Sequence, residues 1–450
     1  MTQPPANRRR NRPAPQDRPR PSDSGLRARA AALDLLGDVL RRHRPLDDAF
    51  NAHQGLPRLE RRDRAFARNL AATTLRRLGQ IDGLLAACLK KPFAARDAAT
   101  EDILRLGACQ LLFLGTPPHA AVDTAVTLLR GRKRGGHAAL VNAVLRRLTR
   151  EGAAMRDGQD AARLNTPDWL WAAWDAAYGE AACRRIAEAH LAEAPLDLSV
   201  KDGTESWAER LGAEILPGGT LRLTAHGPIP ELPGYKDGAW WVQDAAAALP
   251  AKLLAVQPGE TAFDLCAAPG GKTAQMAAAG AEVTALDSAE PRLVRLRENM
   301  ARLELSVRTV AADAAEWTPP QPAGAVLLDA PCSATGTLRR HPDAARLKTP
   351  DDIAALTALQ DRLLAAAVKM AKPGGRIVYC TCSLQPEEGP ERIAGLIGGG
   401  APVERMPIAP DEIGGLAEAI TADGDLRTLP CHWGDRGGVD GFFACRLRRV

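Results

Sequence analysis

Between residues 26 and 150, apolar side chains recur at three- and four-residue steps, the period of helices that bury one face. The stretches LRARAAALDLLGDVLRR, ERRDRAFARNLAATTLRRLGQIDGLLAACL, TEDILRLGACQLLFLG, HAAVDTAVTLLRG and HAALVNAVLRRLTRE follow one another across Pro and Gly breaks. Such short connections predict a compact all-α bundle. Residues 163–235 are mixed. PDWLWAAWDAAYGEAACRRIAEAHL reads as helix, with Trp169, Trp171 and Trp174 at a spacing that favours packing over base stacking. LDLSVK, the helical TESWAERLG and LRLTAHG then predict a small α/β linker module.

The period changes after about residue 255. Short apolar runs at 261–268, 281–288, 307–314, 323–331 and 375–383 alternate with helical segments. That alternation predicts an α/β domain with a mostly parallel sheet covered on both faces. GFFACRLRR, near the C-terminus, predicts an added edge strand compatible with an antiparallel sense. The chain therefore divides into a tail (1–25), a helical domain (26–150), a linker subdomain (151–239) and a catalytic domain (240–450). The Pro/Arg-rich tail has too little apolar surface to fold and is expected to be disordered.

Charge adds an asymmetry. The net charge is +5, yet residues 26–150 carry 23 Lys and Arg against 11 Asp and Glu, and the tail is +4. A basic first third ahead of an acidic remainder fits a polyanion held by the N-terminal part, or solvated helix faces in an Arg-rich chain. RGRKRGGH (130–137), a basic loop between two helices, is a candidate phosphate contact. No apolar run is long enough to span a membrane, and no apolar segment follows the basic N-terminus, so a cytoplasmic location is expected. Nine scattered cysteines argue against a disulfide framework, and the one close pair, Cys380 and Cys382, lacks the spaced partners of a zinc site.

DLCAAPGGKTAQMA (264–277) reads as strand, Pro-Gly-Gly turn and helix, a place where backbone and helix N–H groups approach a ligand. It lacks the earlier glycine of a nucleoside-triphosphate loop. The next two strands end in Asp287 and Asp313, placed for a ribose hydroxyl pair and an adenine amino group. Either aspartate alone is more often a cap or turn residue. The three strand ends together predict S-adenosylmethionine, an adenosine-bearing cofactor without pyrophosphate. The fourth and fifth strands end in DAPC and CTCS, bringing Asp329, Cys332 and Cys382 to the same rim. A thiol there has a chemical reason. C5 of a pyrimidine takes a methyl group only after a thiolate has added at C6 and made C5 enamine-like. Asp329 is placed to bond the N3 and amino edge of cytosine.

VQDAAAALPAKLL, DLCAAPGGKT, LDSAEPRLVRLRENMARL, DAPCSATGTLRRHPD and CTCSLQPEEGPERI resemble, in order over residues 240–395, the RNA 5-methylcytosine methyltransferases of the Sun/NOL/NSUN type. The resemblance implies a Rossmann-like catalytic domain with Cys382 as nucleophile and Cys332 linked to catalysis and product release. It also implies cofactor contacts at Cys266, Ala267, Ala268, Pro269, Gly270, Gly271, Lys272, Asp287, Asp313 and Asp329. Two positions stand apart from the pattern. Ala334 lies where many members have Gly, and Cys380, which the family does not require, reads as a buried strand thiol. Cys266 is expected to pack beside the cofactor rather than react. ILRLGACQLLFLGTPPHAAVDTAVTLLRG with HAALVNAVLRRLTRE resembles the NusB fold, which implies RNA binding, and in this arrangement a cytosine of 16S rRNA as target and a monomeric state. The same chemistry on tRNA or 23S rRNA, and a non-catalytic RNA-binding assembly protein, are the competing expectations.

Overall fold

The structure is a computed structural model and describes residues 23–450. Most of the expected basic tail thus lies outside the described residues. The N-terminal bundle comprises α1 (Asp23–Arg42), α2 (Leu46–Ala52), α3 (Arg61–Arg76), α4 (Leu78–Cys88), α5 (Ala98–Leu112), α6 (Pro118–Gly131) and α7 (Ala138–Asp157). Its apolar stripes meet in one core that includes Leu36, Leu70, Leu104 and Leu145, with alanines letting the helices approach closely.

Three further helices, α8 (Ala161–Asn165), α9 (Asp168–Tyr178) and α10 (Glu180–Ala189), connect the bundle to the rest. Trp174 is fully buried with Leu170, Cys183 and Ile186 against Leu338, Leu384 and Leu429 of the catalytic domain. Its indole N–H donates to Gln385 Oε1 at 3.1 Å, and the Tyr178 hydroxyl donates to the Leu384 carbonyl. The tryptophan-rich helix is therefore packing, as its spacing predicts, and it props the loop that follows Cys382. Trp171 is half-buried against the same cluster, flanked by the guanidinium groups of Arg163 and Arg184 at 5.3 and 5.4 Å.

The linker module is an antiparallel sheet of β1 (Leu196–Val200), β2 (Glu214–Ile215), β3 (Leu221–Leu223) and β4 (Trp240–Val242), in the order β2-β3-β1-β4, with α11 (Thr204–Leu211) between β1 and β2. Buried Asp197 accepts two hydrogen bonds from buried Arg222 across this sheet, at 2.6 and 2.7 Å. β4 lies just past residue 239, so the small sheet reaches into the sequence assigned to the catalytic domain.

The catalytic domain begins with α12 (Ala245–Leu254) and β5 (Thr261–Leu265), followed by α13 (Gly271–Ala278), β6 (Glu282–Asp287), α14 (Glu290–Arg302), β7 (Arg308–Ala311) and β8 (Ala323–Asp329). After α15 (Ala344–Leu347) and α16 (Pro350–Met370) come β9 (Ala371–Thr381), α17 (Pro390–Gly398), β10 (Val403–Arg405), β11 (Leu426–Thr428) and β12 (Phe442–Arg449). The sheet order is β10-β12-β9-β8-β5-β6-β7, with β11 also paired to β12. β5 to β9 run parallel, as in a Rossmann-like domain. β12 is antiparallel to β9, β10 and β11, so GFFACRLRR is an interior strand rather than the expected edge. The three-residue strands β10 and β11 cover its other side.

Strand alternation assigns the two faces. Phe263, Val326, Leu328, Ile377, Tyr379 and Phe443 pack against α16. Ala262, Ala325, Leu327, Val378, Cys380 and Ala444 pack toward α12. A one-residue slip would exchange every one of these side chains, which pins the register that places the strand ends.

Candidate active site

β5 stops at Leu265 and the chain turns through Cys266 at φ 66° into the Pro-Gly-Gly loop. Gly270 precedes α13 at φ 104°, and a Cβ there would lie 3.0 Å from Leu296 Cγ and 3.2 Å from Met300 Cε of α14. Only glycine meets both demands, and α13 begins directly after it, with first N–H groups that have no partner within the helix. Asp287 is 2% exposed and holds this loop. Its Oδ2 accepts from the Ala268 N–H at 3.3 Å, its Oδ1 accepts from the Ala289 N–H at 3.0 Å, and Arg292 lies 3.3 Å away. Asp313 lies past the end of β7, where its carboxylate accepts from the Ala315 N–H at 2.8 Å and faces Arg362 at 3.4 Å.

Gly270, Gly271, Lys272 and Asp329 line a cavity of about 600 Å³ together with Trp241 and Gln243. Ala267, Ala268 and Pro269 also border it, whereas Cys266, Asp287 and Asp313 lie outside its lining. Buried Lys272 donates to Asp329 Oδ2 at 2.7 Å and lies 5.0 Å from the centre of the Phe442 ring. Burial alone would lower the Lys272 ammonium, but the Asp329 charge and hydrogen bond outweigh it and hold it above its ordinary value. The Cys380 thiol, pushed up by burial and then by the Asp329 charge, keeps its proton and faces Asp329 Oδ1 at 3.5 Å. Cys380 is thus a buried strand thiol, and it is also a donor to the site carboxylate.

Cys332 and Cys382 follow the ends of β8 and β9, and their sulfur atoms stand 3.4 Å apart as free thiols. The Cys332 thiol is pushed well up by its hydrogen bond to Cys382, by burial and by the neighbouring Cys382 and Glu388 charges. Cys332 therefore keeps its proton and is able to donate it in a hydrogen bond to the Cys382 sulfur. A buried polar network locks the two loops. The Ser333 N–H donates to Glu388 Oε1 at 2.9 Å, and Gln360 donates to the same oxygen at 3.1 Å. The Ser333 and Ser383 hydroxyls meet at 3.0 Å, and the Gly336 N–H donates to the Cys382 carbonyl at 3.0 Å. Gly336 is required for a different reason from Gly270, since a Cβ there would stand 2.0 Å from the Gly441 carbonyl oxygen. Ala334 takes φ 57°, a left-handed conformation that glycine adopts freely, at a cost of roughly 1 kcal/mol.

Asp264 was not singled out by its position inside an apolar strand. It is fully buried, accepts from the Thr273 hydroxyl at 2.5 Å and leaves Oδ1 without a partner. Burial is the main cause that raises it from 3.8 to about 7, reinforced by the Asp329 charge and opposed by the Thr273 hydrogen bond. A carboxyl raised on folding contributes stability that is full below its unfolded value and is lost as pH rises through the folded one. Between pH 5 and pH 8 the wild type should therefore lose about 2–3 kcal/mol that Asp264→Asn does not lose. Urea midpoints of both proteins at the two pH values measure this, and parallel pH dependences would contradict it.

The parallel sheet, glycine loop and acidic strand ends define an S-adenosylmethionine-dependent methyltransferase. Residues 251–448 match the family described as 16S rRNA methyltransferase RsmB/F, and residues 26–150 match the NusB family. The chain is 34% identical over 94% of its length to ribosomal RNA small subunit methyltransferase B of Pseudomonas syringae pv. tomato, covering 97% of that protein. The Vibrio cholerae protein of the same name is 37% identical, with 81% of this chain and 87% of that protein covered. The crystal structure of PH0851 shares the fold with a TM-score of 0.74 at 22% identity, over 95% of this chain and 98% of that one. The chain belongs to the RsmB/F family of methyltransferases, with a NusB domain ahead of the catalytic one.

Proposed function

We propose that this enzyme methylates C5 of a specific cytosine in 16S rRNA through a covalent adduct between Cys382 and C6 of the base. The observation that carries the reading is the pair of thiols 3.4 Å apart at the ends of β8 and β9, one of them held protonated. S-adenosylmethionine, when bound by Cys266 to Lys272 with Asp287, Asp313 and Asp329, supplies the electrophilic methyl group. The site fits such a ligand because Gly270, Gly271 and Lys272 border the cavity where α13 begins, and the first N–H groups of a helix have no partner within it.

The chain's own groups divide the remaining work. Asp329 accepts from the exocyclic amine, and Lys272 beside it favours charge on the ring as the Cys382 sulfur forms its bond to C6. After methylation the C5 proton passes to water, the electrons of the C5–H bond close the C5–C6 double bond, the C6–sulfur bond breaks, and its electron pair returns to Cys382. The Cys332 thiol, already hydrogen-bonded to that sulfur, stabilises the departing thiolate. Cys332 is thereby assigned to release and Cys382 to attack.

The identity of the target is supported by the family match and by the similarly named relatives. Incubation with methyl-labelled S-adenosylmethionine and unmethylated 16S rRNA, followed by nucleoside analysis, should yield labelled 5-methylcytidine at one position. Label in another nucleoside, or label only when tRNA or 23S rRNA is supplied, would contradict the assignment.

A further inference from the structure

A second and larger cavity, of about 1010 Å³, lies between the helical bundle and the catalytic domain. One wall is a single face of α3, where Arg61, Arg68 and Arg76 stand at helical spacing with Ala65 and Ala72 between them and Arg62 alongside. The opposite wall is built from residues 226–229 and from Arg340 and His341 on the loop that follows Cys332. A helix of 16 residues makes this wall about 24 Å long.

Three observations connect this cleft to catalysis. Ile229 and Val242 border both it and the cavity that holds Lys272 and Asp329, so the two spaces adjoin. Val242, an apolar side chain left 44% exposed at that junction, offers a surface for an unstacked base. The bundle is also tied to the loop after Cys332, because Arg76 donates to the Arg339 carbonyl at 2.9 Å and the Leu46 N–H donates to Asp343 Oδ2 at 2.9 Å.

The charge of the cleft is basic after its carboxylates are counted. Arg61 pairs with Glu231, and Arg68 pairs with Asp47 at 2.8 Å. Arg340 is bonded by Asp244 and Asp440 at 2.7 and 2.8 Å, and Glu193 is the acidic side chain of the lining. Arg62 is exposed and pairs with no carboxylate among the described residues. The pairs made by Arg61 and Arg68 are surface pairs, which exchange readily for phosphate oxygens.

We infer that the single-stranded RNA flanking the target cytosine on one side lies in this cleft, with its phosphates on the arginine face of α3 and the adjoining base against Val242 and Ile229. The inference rests on the RNA cytosine-methylation reading above and names the surface that holds that substrate. A base whose C6 must be reached by a thiol is taken out of any stack, so the strand next to it is locally single-stranded. A groove of arginines that tracks a backbone suits such a strand without reading its sequence.

The test uses the full chain, the double variant Arg62→Glu/Arg68→Glu, and the control Arg146→Glu/Arg150→Glu, which makes the same charge change on the exposed face of α7. Fluorescence anisotropy with RNA oligonucleotides carrying one cytosine, lengthened on either side of it, is read over a series of salt concentrations. Lengthening on one side should tighten wild-type binding. The α3 variant should lose that gain, bind about tenfold more weakly at moderate salt, and show a shallower salt slope by about 0.7 per lost phosphate contact. The control variant should bind as the wild type does, and cofactor affinity should be unchanged in all three.

Equal losses in the two double variants, or a length gain that survives in the α3 variant, would overturn the cleft assignment. Failure of the wild type to form 5-methylcytidine would overturn the reading of its function instead, because the titration needs no methyl transfer.

Discussion

Cys382→Ser will bind S-adenosylmethionine with wild-type affinity and lose at least about 10³-fold in methyl transfer to RNA. The cofactor loop lies on β5 and α13, while Cys382 follows β9 and packs with Ala245, Ala246 and Phe442, so the substitution leaves the loop untouched. A serine hydroxyl in the same place is a far weaker nucleophile, because its proton is held far more tightly than that of a thiol. The neighbouring Cys332 does not substitute for it, since burial and the Glu388 charge still hold its proton in place once the Cys382 thiol is gone. Single-turnover transfer of labelled methyl groups measures the loss, and cofactor titration shows that the site is intact. Transfer within tenfold of wild type would mean that another group attacks C6 or that no adduct forms.

Cys332→Ala predicts a different defect. The nucleophile is retained, so attack proceeds, but the departing Cys382 thiolate loses the hydrogen bond donor that stood 3.4 Å away. A hydrogen bond to a charged group is worth roughly 1.5–3 kcal/mol, which slows release by about ten- to a hundredfold. Protein–RNA adduct should therefore accumulate and survive denaturing electrophoresis, while the wild type shows little. The adduct should depend on Cys382, and Cys332→Ala/Cys382→Ser should form none. If Cys332→Ala turned over freely without adduct, Cys332 would be a packing residue of the β8 loop and not a participant in release.

Much of the fold was legible because burial imposes periods. The helical stripes of the first domain and the five parallel strands bury long, regular faces, and each such strand appears with its site residue at or just past its C-terminal end. The place of β12 was not legible, because it becomes interior through β10 and β11. Both are three-residue strands, too short to show alternation. β4 escaped for the same reason, since the three residues of Trp240–Val242 join the small sheet only through pairing with β1.

The site divides in the same way. Cys332, Cys382, Asp329 and the glycine loop stand at strand ends, where parallel topology gathers ligand-binding groups. Asp264 resembled an ordinary residue of an apolar strand, and its unpartnered Oδ1 is a property of packing alone. Glu388, which carries the network joining the two cysteine loops, shows no sign of that role beside Glu387 in the sequence, yet it is fully buried. Cys380 gained its tie to Asp329 from the β8–β9 register, which sets those two residues side by side. Charge pointed to the first domain but not to a face. The arginine wall of α3 lies in the cleft, whereas residues 130–137 do not line it.

The central claim is that a Cys382–C6 bond precedes methyl transfer to C5 of cytosine. RNA carrying 5-fluorocytosine at the target position tests it most directly, because fluorine at C5 cannot leave as the proton does and the adduct is held on the enzyme. Wild-type protein, this RNA and S-adenosylmethionine should give a stable complex whose digestion yields one modified peptide, the one containing Cys382, bearing a methylated fluorocytidine. A modified peptide containing Cys332 instead, or methylated RNA with no adduct at any cysteine, would contradict the account.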